Sequence, residues 1–422
     1  MKNVLMIGSH ETGGGRLQRN ILSKKLIENN YRVFRLGMGL KRKWSVSKED
    51  EVKTYKIGMF NKNRRGKAKP LDIIKYLTIE VFNPLIFFWT IYLILRHRIN
   101  TIVLMTYNQI SISPLIASKL LLRNIVVTMH TNELICSYSA IMPFCKGIRK
   151  GKCGECMLRE HKIPGYMGKL IKNVSNLVTS MILFLKLKFT NFLADWIIFP
   201  SEYSKKFHAK YGVEKKKSRS IPCFLDESET EDNITKELEK KYKKGDERIL
   251  LYLGRMEDTK GLDILLKSLK KVNEKNKKWR LLMVGDGNYL KKLEDLTKKM
   301  KLDKKVEFIG RIPHNQVFSY YRLSDIVVIP SVFPETFCIV FSEASLCKKI
   351  TISTNLGALK ERVVDGKNGF LIEPNDENDL SGKILYVLEN FKKLVKIGDN
   401  AYQTQTKKYS SEKSFSDYLE II

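Results

Sequence analysis

The chain has 422 residues, too many for one ordinary core and enough for two or three domains. With 43% hydrophobic and 29% charged residues it can bury proper cores, which excludes a disordered chain. Its 76 Lys and Arg against 45 Asp and Glu leave a net +31, which points to a polyanionic partner: nucleic acid, an anionic membrane surface or phosphorylated substrates. Residues 1–200 hold 33 basic and 11 acidic side chains (+22) and residues 201–422 hold 43 and 34 (+9), so the first half meets most of the anion, unless these charges are only solvated Lys faces.

Residues 4–7 read as a first buried strand, stopped by Gly8 and too short for the apolar region of a secretory signal. A loop over 8–15 leads to a helix over 16–28 and a strand over 31–36. Residues 41–70 are polar, basic and weakly patterned. Residues 71–95 read as helical, with Pro84 as a kink or break. The apolar run 84–95 is well short of the ~20 residues that span a bilayer, so no transmembrane helix is expected. Seven cysteines without a secretory signal imply a reducing compartment, hence a cytoplasmic protein, with peripheral attachment to the inner face of a membrane as a further expectation.

The β-branched runs 101–105 and 125–129 fit parallel strands buried on both faces. Residues 196–199 fit another strand, and 201–211 a helix capped by Ser201. The segment 226–247 is dense in charge and poor in large apolar residues, which reads as a linker. Alternation then restarts, with strands over 248–253, 281–284, 306–309, 326–329 and 350–353, and helices over 262–272 and 289–300. Two such series imply an α/β chain of two doubly wound, Rossmann-like parallel-sheet domains with a cleft between them. The domains expected are 1–225 and 248–405, with 406–422 a terminal helix that packs back on the first domain.

The chemistry-bearing residues cluster in the second half. Glu335 and Glu343 are eight apart behind the strand 326–329. A helix starting near Thr336 would put both on similar sides, with the amides of Phe337, Cys338 and Ile339 as an anion site. On their own the two read equally as a capping and a surface carboxylate. Arg255 and Lys260, five apart between Gly254 and Gly261, follow a strand and open a helix, where two cations can clamp a diphosphate. The plainer reading is two solvated loop cations.

The motifs Gly-Arg-x4-Lys-Gly at 254–261, Val-Gly-Asp-Gly at 284–287, Phe-Ile-Gly-Arg-Ile-Pro at 308–313, Glu-x7-Glu at 335–343 and Asn-Gly-Phe-Leu at 368–371 together resemble the retaining glycosyltransferases of family 4, which have the GT-B fold. The resemblance is dense over 249–374 and sparser before it, where Gly13, Gly14 and Gly15 follow the first strand and His130 ends a later one. It implies transfer of a sugar from a nucleotide-sugar donor to a glycan or lipid-diphosphate-linked acceptor in surface polysaccharide or glycolipid synthesis. Arg255 and Lys260 would neutralise the leaving diphosphate, and the amides after Glu335 would hold its oxygens. Glu343 would bind the ribose, and Glu335 would position the sugar. Gly14 and Gly15 would let the backbone approach donor or acceptor, and His130 would lie near the sugar. No Asp-x-Asp pair is present, so the cations would replace a catalytic divalent metal and no cofactor would be required. The chain departs from the family at Cys338, where Gly is usual, at Lys348 and Lys349, and at Ala358, where a Gly pair is frequent.

Cys136, Cys145, Cys153 and Cys156, spaced C-x8-C-x7-C-x2-C in the region 131–160, fit a structural zinc site, packed thiols or disulfides. A subset of family-4 enzymes carries a similar Cys-rich insertion. Further on, Leu170, Val174, Leu177, Val178, Met181 and Leu185 make one helical stripe flanked by Lys169, Lys172, Lys186 and Lys188. Such a stripe faces either a core or an anionic bilayer. The competing function class is a non-enzymatic polyanion binder, but no aromatic-interleaved basic motif or helix-turn-helix signature supports nucleic acid.

Overall fold

The computed structural model describes residues 1–8, 14–39, 44–58, 79, 81–107, 110–136, 166–225, 235–243 and 245–422, with backbone alone for 166–175. The chain divides into two compact units, residues 1–224 with 414–422, and residues 225–413.

In the first unit the elements run β1 (Asn3–Ile7), α1 (Gly14–Glu28), β2 (Arg32–Gly39), β3 (Ser45–Glu49), β4 (Val52–Gly58), α2 (Pro84–His97), β5 (Thr101–Leu104), α3 (Ser113–Leu120), β6 (Asn124–Thr128), α4 (Tyr166–Leu193), β7 (Trp196–Phe199), α5 (Glu202–Ala209) and β8 (Ser218–Ser220). The sheet order is β3-β4-β2-β1-β5-β6-β7-β8, parallel throughout except for the β3–β4 hairpin. Strand side chains alternate between two cores. Leu5 and Ile7 pack beneath α2 and α3, whereas Val4 and Met6 pack beneath α1.

Of the two roles expected of Pro84, kink or break, the structure has the break: residues 79 and 81 are helical, 82 and 83 are not, and Pro84 starts a new helix. It occupies the first turn, where its missing N–H costs nothing, and the Asn83 side chain caps Ile86 N at 3.2 Å. Residues 71–78, expected to be helical, lie outside the described residues. Ser201 caps α5 through Ser204 N at 3.0 Å. The β3–β4 hairpin is absent from the sequence reading of 41–70. Its turn places Asp50 and Glu51 at φ 46° and 66°, a conformation that Gly or Asn would have signalled.

The second unit runs α6 (Thr235–Tyr242), β9 (Arg248–Leu253), α7 (Leu262–Lys275), β10 (Trp279–Val284), α8 (Leu290–Lys299), β11 (Val306–Gly310), α9 (Val317–Leu323), β12 (Ile326–Ile329), α10 (Ile339–Leu346), β13 (Ile350–Thr354), α11 (Gly357–Arg362), β14 (Phe370–Ile372), α12 (Glu377–Leu394) and α13 (Lys396–Lys408). Its all-parallel sheet has the order β11-β10-β9-β12-β13-β14. The segment read as a linker is in part structure of this unit: α6 buries Tyr242 against Val317, Tyr320 and Tyr321 of α9. Heavy charge on the other sides of α6 hides this one apolar edge in the sequence.

The last helix, α14 (Ser411–Leu419), brings Phe415, Tyr418, Ile421 and Ile422 into the core beneath α1, and Tyr418 hydroxyl lies 3.1 Å from Thr128 Oγ1. Among the described residues no helix is long and apolar enough to cross a membrane.

Candidate functional site

The second unit collects most of the candidate residues at the C-terminal ends of β9 and β12. After β9 the chain passes Gly254 and Arg255, makes a short turn over Asp258–Lys260, and enters α7 through Gly261. Gly261 has φ 65°, and a Cβ there would sit 2.0 Å from the Pro330 carbonyl, so only glycine lets the head of α7 approach the end of β12 this closely. That approach carries Lys260 to the loop after β12. Lys260 Nζ lies 2.7 Å from Glu335 Oε1, and Ser331 Oγ donates to the same oxygen at 2.9 Å. The two charged side chains are only 16% and 14% exposed. Lys260 Nζ also stands 4.5 Å over the Phe333 ring. Arg255, in contrast, is exposed and pairs with Glu257 at 2.7 Å.

The structure corrects the helix after Glu335. It begins at Ile339, not near Thr336, because Cys338 sits at φ 68°, ψ 78° and breaks the helical path. Glu335 therefore belongs to the loop ahead of α10, while Glu343 lies inside the helix. Phe337 and Cys338 stand before the first turn, and only Ile339 of the three predicted amides is in it. Glu343 is buried and accepts from Tyr321 hydroxyl at 2.8 Å. Burial and that carboxylate push the Tyr321 phenol well above its ordinary range. Gly357 at φ 58° supports the Glu335 loop from below: a Cβ would meet Glu335 O at 2.5 Å, and Ala358 N donates to that carbonyl at 2.9 Å.

A residue that the sequence reading missed holds the same loop. Arg362 is fully buried at the end of α11. It donates to Phe337 O (2.7 Å), Cys338 O (3.2 Å), Ser342 Oγ (2.6 Å) and Gln405 Oε1 (2.9 Å). Its guanidinium lies 3.9 Å from the Phe337 ring centre and 4.7 Å from that of Tyr409. These bonds fix the two carbonyls just before α10. In sequence Arg362 reads as a surface cation beside Glu361, and nothing there distinguishes it. Burial, and next the Glu335 charge, push the Cys338 thiol up to about 12.

In the first unit Gly14 and Gly15 open α1, whereas Gly13 lies outside the described residues. His130 stands two residues beyond β6 and is half-buried. Three residues on, the unpredicted Glu133 is buried and accepts from Thr106 Oγ1 at 2.8 Å and Tyr107 N at 2.6 Å. Cys136 is buried in the core below, and Cys145, Cys153 and Cys156 lie outside the described residues. Among the described residues no cluster of three metal-ligating side chains occurs.

Residues 233–404 match the family described as glycosyl transferases group 1. An uncharacterised glycosyltransferase of Methanocaldococcus jannaschii is 34% identical over 230 residues, 54% of this chain and 59% of that one. The lipopolysaccharide 1,2-N-acetylglucosaminetransferase of Salmonella typhimurium is 30% identical over 177 residues, 40% of this chain and 46% of that one. The chain thus spans about half the length of these relatives. The crystal structure of Anabaena HepE in complex with UDP superposes with a TM-score of 0.73 at 17% identity, covering 100% of this chain and 99% of that chain. Sucrose-phosphate synthase from Thermosynechococcus elongatus gives 0.72 at 16%, covering 100% and 98%. At those identities the likeness is one of fold, which is α/β of the GT-B class. The matched stretch, residues 233–404, holds Lys260, Glu335 and Glu343.

Proposed function

We propose that the protein is a retaining glycosyltransferase that moves a sugar from a nucleotide-sugar donor to a glycan or lipid-diphosphate-linked acceptor, in the synthesis of a surface polysaccharide or glycolipid. The observation that carries the reading is the Lys260–Glu335 pair at the meeting of the α7 and α10 entrances. An ammonium has three N–H donors, and Glu335 takes one, which leaves others for the oxygens of a leaving diphosphate. Arg255, exposed on the same turn, adds a second cation. Breaking a glycosyl-phosphate bond builds charge on the diphosphate, and donors fixed beforehand stabilise it without reorganising. Glu335 Oε1 is held by Lys260 and Ser331, so its other oxygen is left to orient a sugar hydroxyl. Glu343, fixed by Tyr321, is the contact for the ribose hydroxyls, and the Ile339 amide at the α10 entrance faces the phosphates. No divalent metal takes part in the reaction.

The names of the partial relatives, glycosyltransferases among them, support the reaction class. The test is a panel of sugar nucleotides screened for thermal stabilisation, followed by turnover with and without EDTA and NMR assignment of the product anomer. Stabilisation by one donor, metal-free turnover and a retained anomeric configuration are expected. Loss of turnover in EDTA that Mg²⁺ restores overturns the metal-free step, and an inverted product overturns retention.

A further inference from the structure

The outer face of the helical layer α2, α3 and α4 is apolar, where a layer facing water is ordinarily polar. In α2 the inward side chains Ile86, Thr90, Leu93 and Ile94 already satisfy the core. Leu85, Phe88, Tyr92 and Leu95 recur at spacings of three and four on the opposite side, all exposed, Phe88 to 67%. The described part of α4 repeats the arrangement. Thr179, Ile182, Lys186, Thr190 and Leu193 are buried on the inward side, and Leu177 (73% exposed), Met181, Phe184 and Phe192 (76%) form the outward stripe. Helix α3 packs against both α2 and α4, and Leu120 and Leu122, also exposed, stand at its end. The three stretches form one layer over one core of the first unit, so their outward residues make a single large apolar face.

Charge tells what covers it. Residues 84–98, 113–123 and 166–193 contain eight Lys and Arg and no Asp or Glu; of the eight, Lys186 is buried and Lys119 pairs with Asp195 at 3.1 Å. Arg96, Arg98 and Lys188 are exposed among the apolar side chains, and Lys188 Nζ lies 5.5 Å from the Phe184 ring centre. A second copy of the chain would bring like charges together across an isologous contact. A nucleic acid would match the charge and gain little from exposed Phe and Leu. An anionic lipid surface accepts both, the aromatic and aliphatic tips entering the headgroup boundary while the cations meet lipid phosphates. We infer that this face docks the chain onto an anionic bilayer. The inference rests on the transferase reading only in that a lipid-linked acceptor would be met there.

The test is co-sedimentation of the full chain with phosphatidylcholine vesicles, with and without phosphatidylglycerol. The chain is expected to sediment with the anionic vesicles, less with the neutral ones, and less as salt rises. The pair Phe88→Glu and Phe184→Glu replaces two exposed side chains, so folding is retained, and it lowers partitioning about tenfold or more. Val395→Glu, at an exposed apolar position of the second unit, leaves binding unchanged. Wild-type protein that stays in the supernatant with both vesicle types overturns the proposal, as does a double variant that sediments like wild type. A dimer that the double variant converts to monomer, with no vesicle binding, assigns the face to a second copy instead. Donor-induced thermal stabilisation, measured in parallel, separates the two readings: its loss in every protein strikes the transferase and leaves the lipid surface standing.

Discussion

Lys260 and Glu335 lie 75 positions apart in the chain, yet their charged atoms meet at 2.7 Å with both side chains mostly buried. Neither charge is neutralised by water to the usual extent, so each depends on the other, and both depend on the glycine contact at Gly261 that brings the two loops together.

Glu335→Gln keeps the shape and the Ser331 hydrogen bond but removes the charge. We expect a loss of about 1 kcal/mol in stability and a fall in donor turnover of about 100-fold. Lys260→Met leaves a mostly buried carboxylate without its cation, so it costs more stability, about 2 kcal/mol, and at least as much turnover. Steady-state kinetics with the donor and thermal unfolding check both; unchanged kinetics in the two variants would refute the clamp.

Arg362 donates four hydrogen bonds, two of them to the carbonyls that precede α10. Lysine cannot reproduce that fork, so Arg362→Lys is expected to cost about 2–3 kcal/mol. Because the side chain positions the loop and does not touch donor, KM for the nucleotide sugar should rise more than kcat falls. An equal loss in kcat with KM unchanged would rule out this role.

Cys338 is a non-glycine residue at φ 68°. Glycine there relieves about 1 kcal/mol of backbone strain and gives up a similar amount of buried side chain, so Cys338→Gly should melt near the wild-type temperature. Cys338→Val adds a β-branch to the same backbone and should cost about 2 kcal/mol or more. Burial raises the thiol from 9.0 to about 12. Its contribution to stability therefore stands below pH 9.0 and is lost as pH rises toward 12. Mass spectrometry after alkylation of the folded chain at pH 9.0 should find Cys338 unlabelled.

His208 sits between Phe199 and Phe207 with Nδ1 2.8 Å from the Ser204 carbonyl, and burial pushes its imidazole down from 6.5 to about 4. The folded chain binds that proton less readily than the unfolded one. Stability is thus whole above pH 6.5 and falls as pH drops toward 4, by about 3 kcal/mol in all. His208→Phe fits between the same rings and should flatten this part of the melting-temperature profile. An unchanged acid slope in that variant would assign it to other groups.

Periodicity was enough to locate most strands. Residues 196–199, 248–253 and 326–329 are strands with the limits expected, because a parallel strand buried on both faces is an unbroken apolar run that nothing else in the chain imitates. The hairpin at 45–58 escaped because its turn uses Asp50 and Glu51 without glycine. Helix α6 escaped because one buried Tyr242 is a weak periodic signal among charges.

For the site, composition and motif order were legible: Arg255, Lys260, Glu335 and Glu343 follow strand ends at spacings that suit phosphate and hydroxyl ligands. What pairs with what was not. Lys260 bonding Glu335, Tyr321 fixing Glu343 and Arg362 holding the Phe337 and Cys338 carbonyls join residues from different loops and helices, and a one-dimensional pattern has no term for such contacts. The same holds for the apolar face of the first unit. The sequence contains the stripes of α2 and α4, but whether a stripe faces a core or water depends on which side the sheet takes, and each helix had apolar residues to spare on both. Local preferences act over a few residues and determine the elements; burial is settled only when elements pack, so the tertiary structure decided the charge pairing, the loop anchoring and the exposed face.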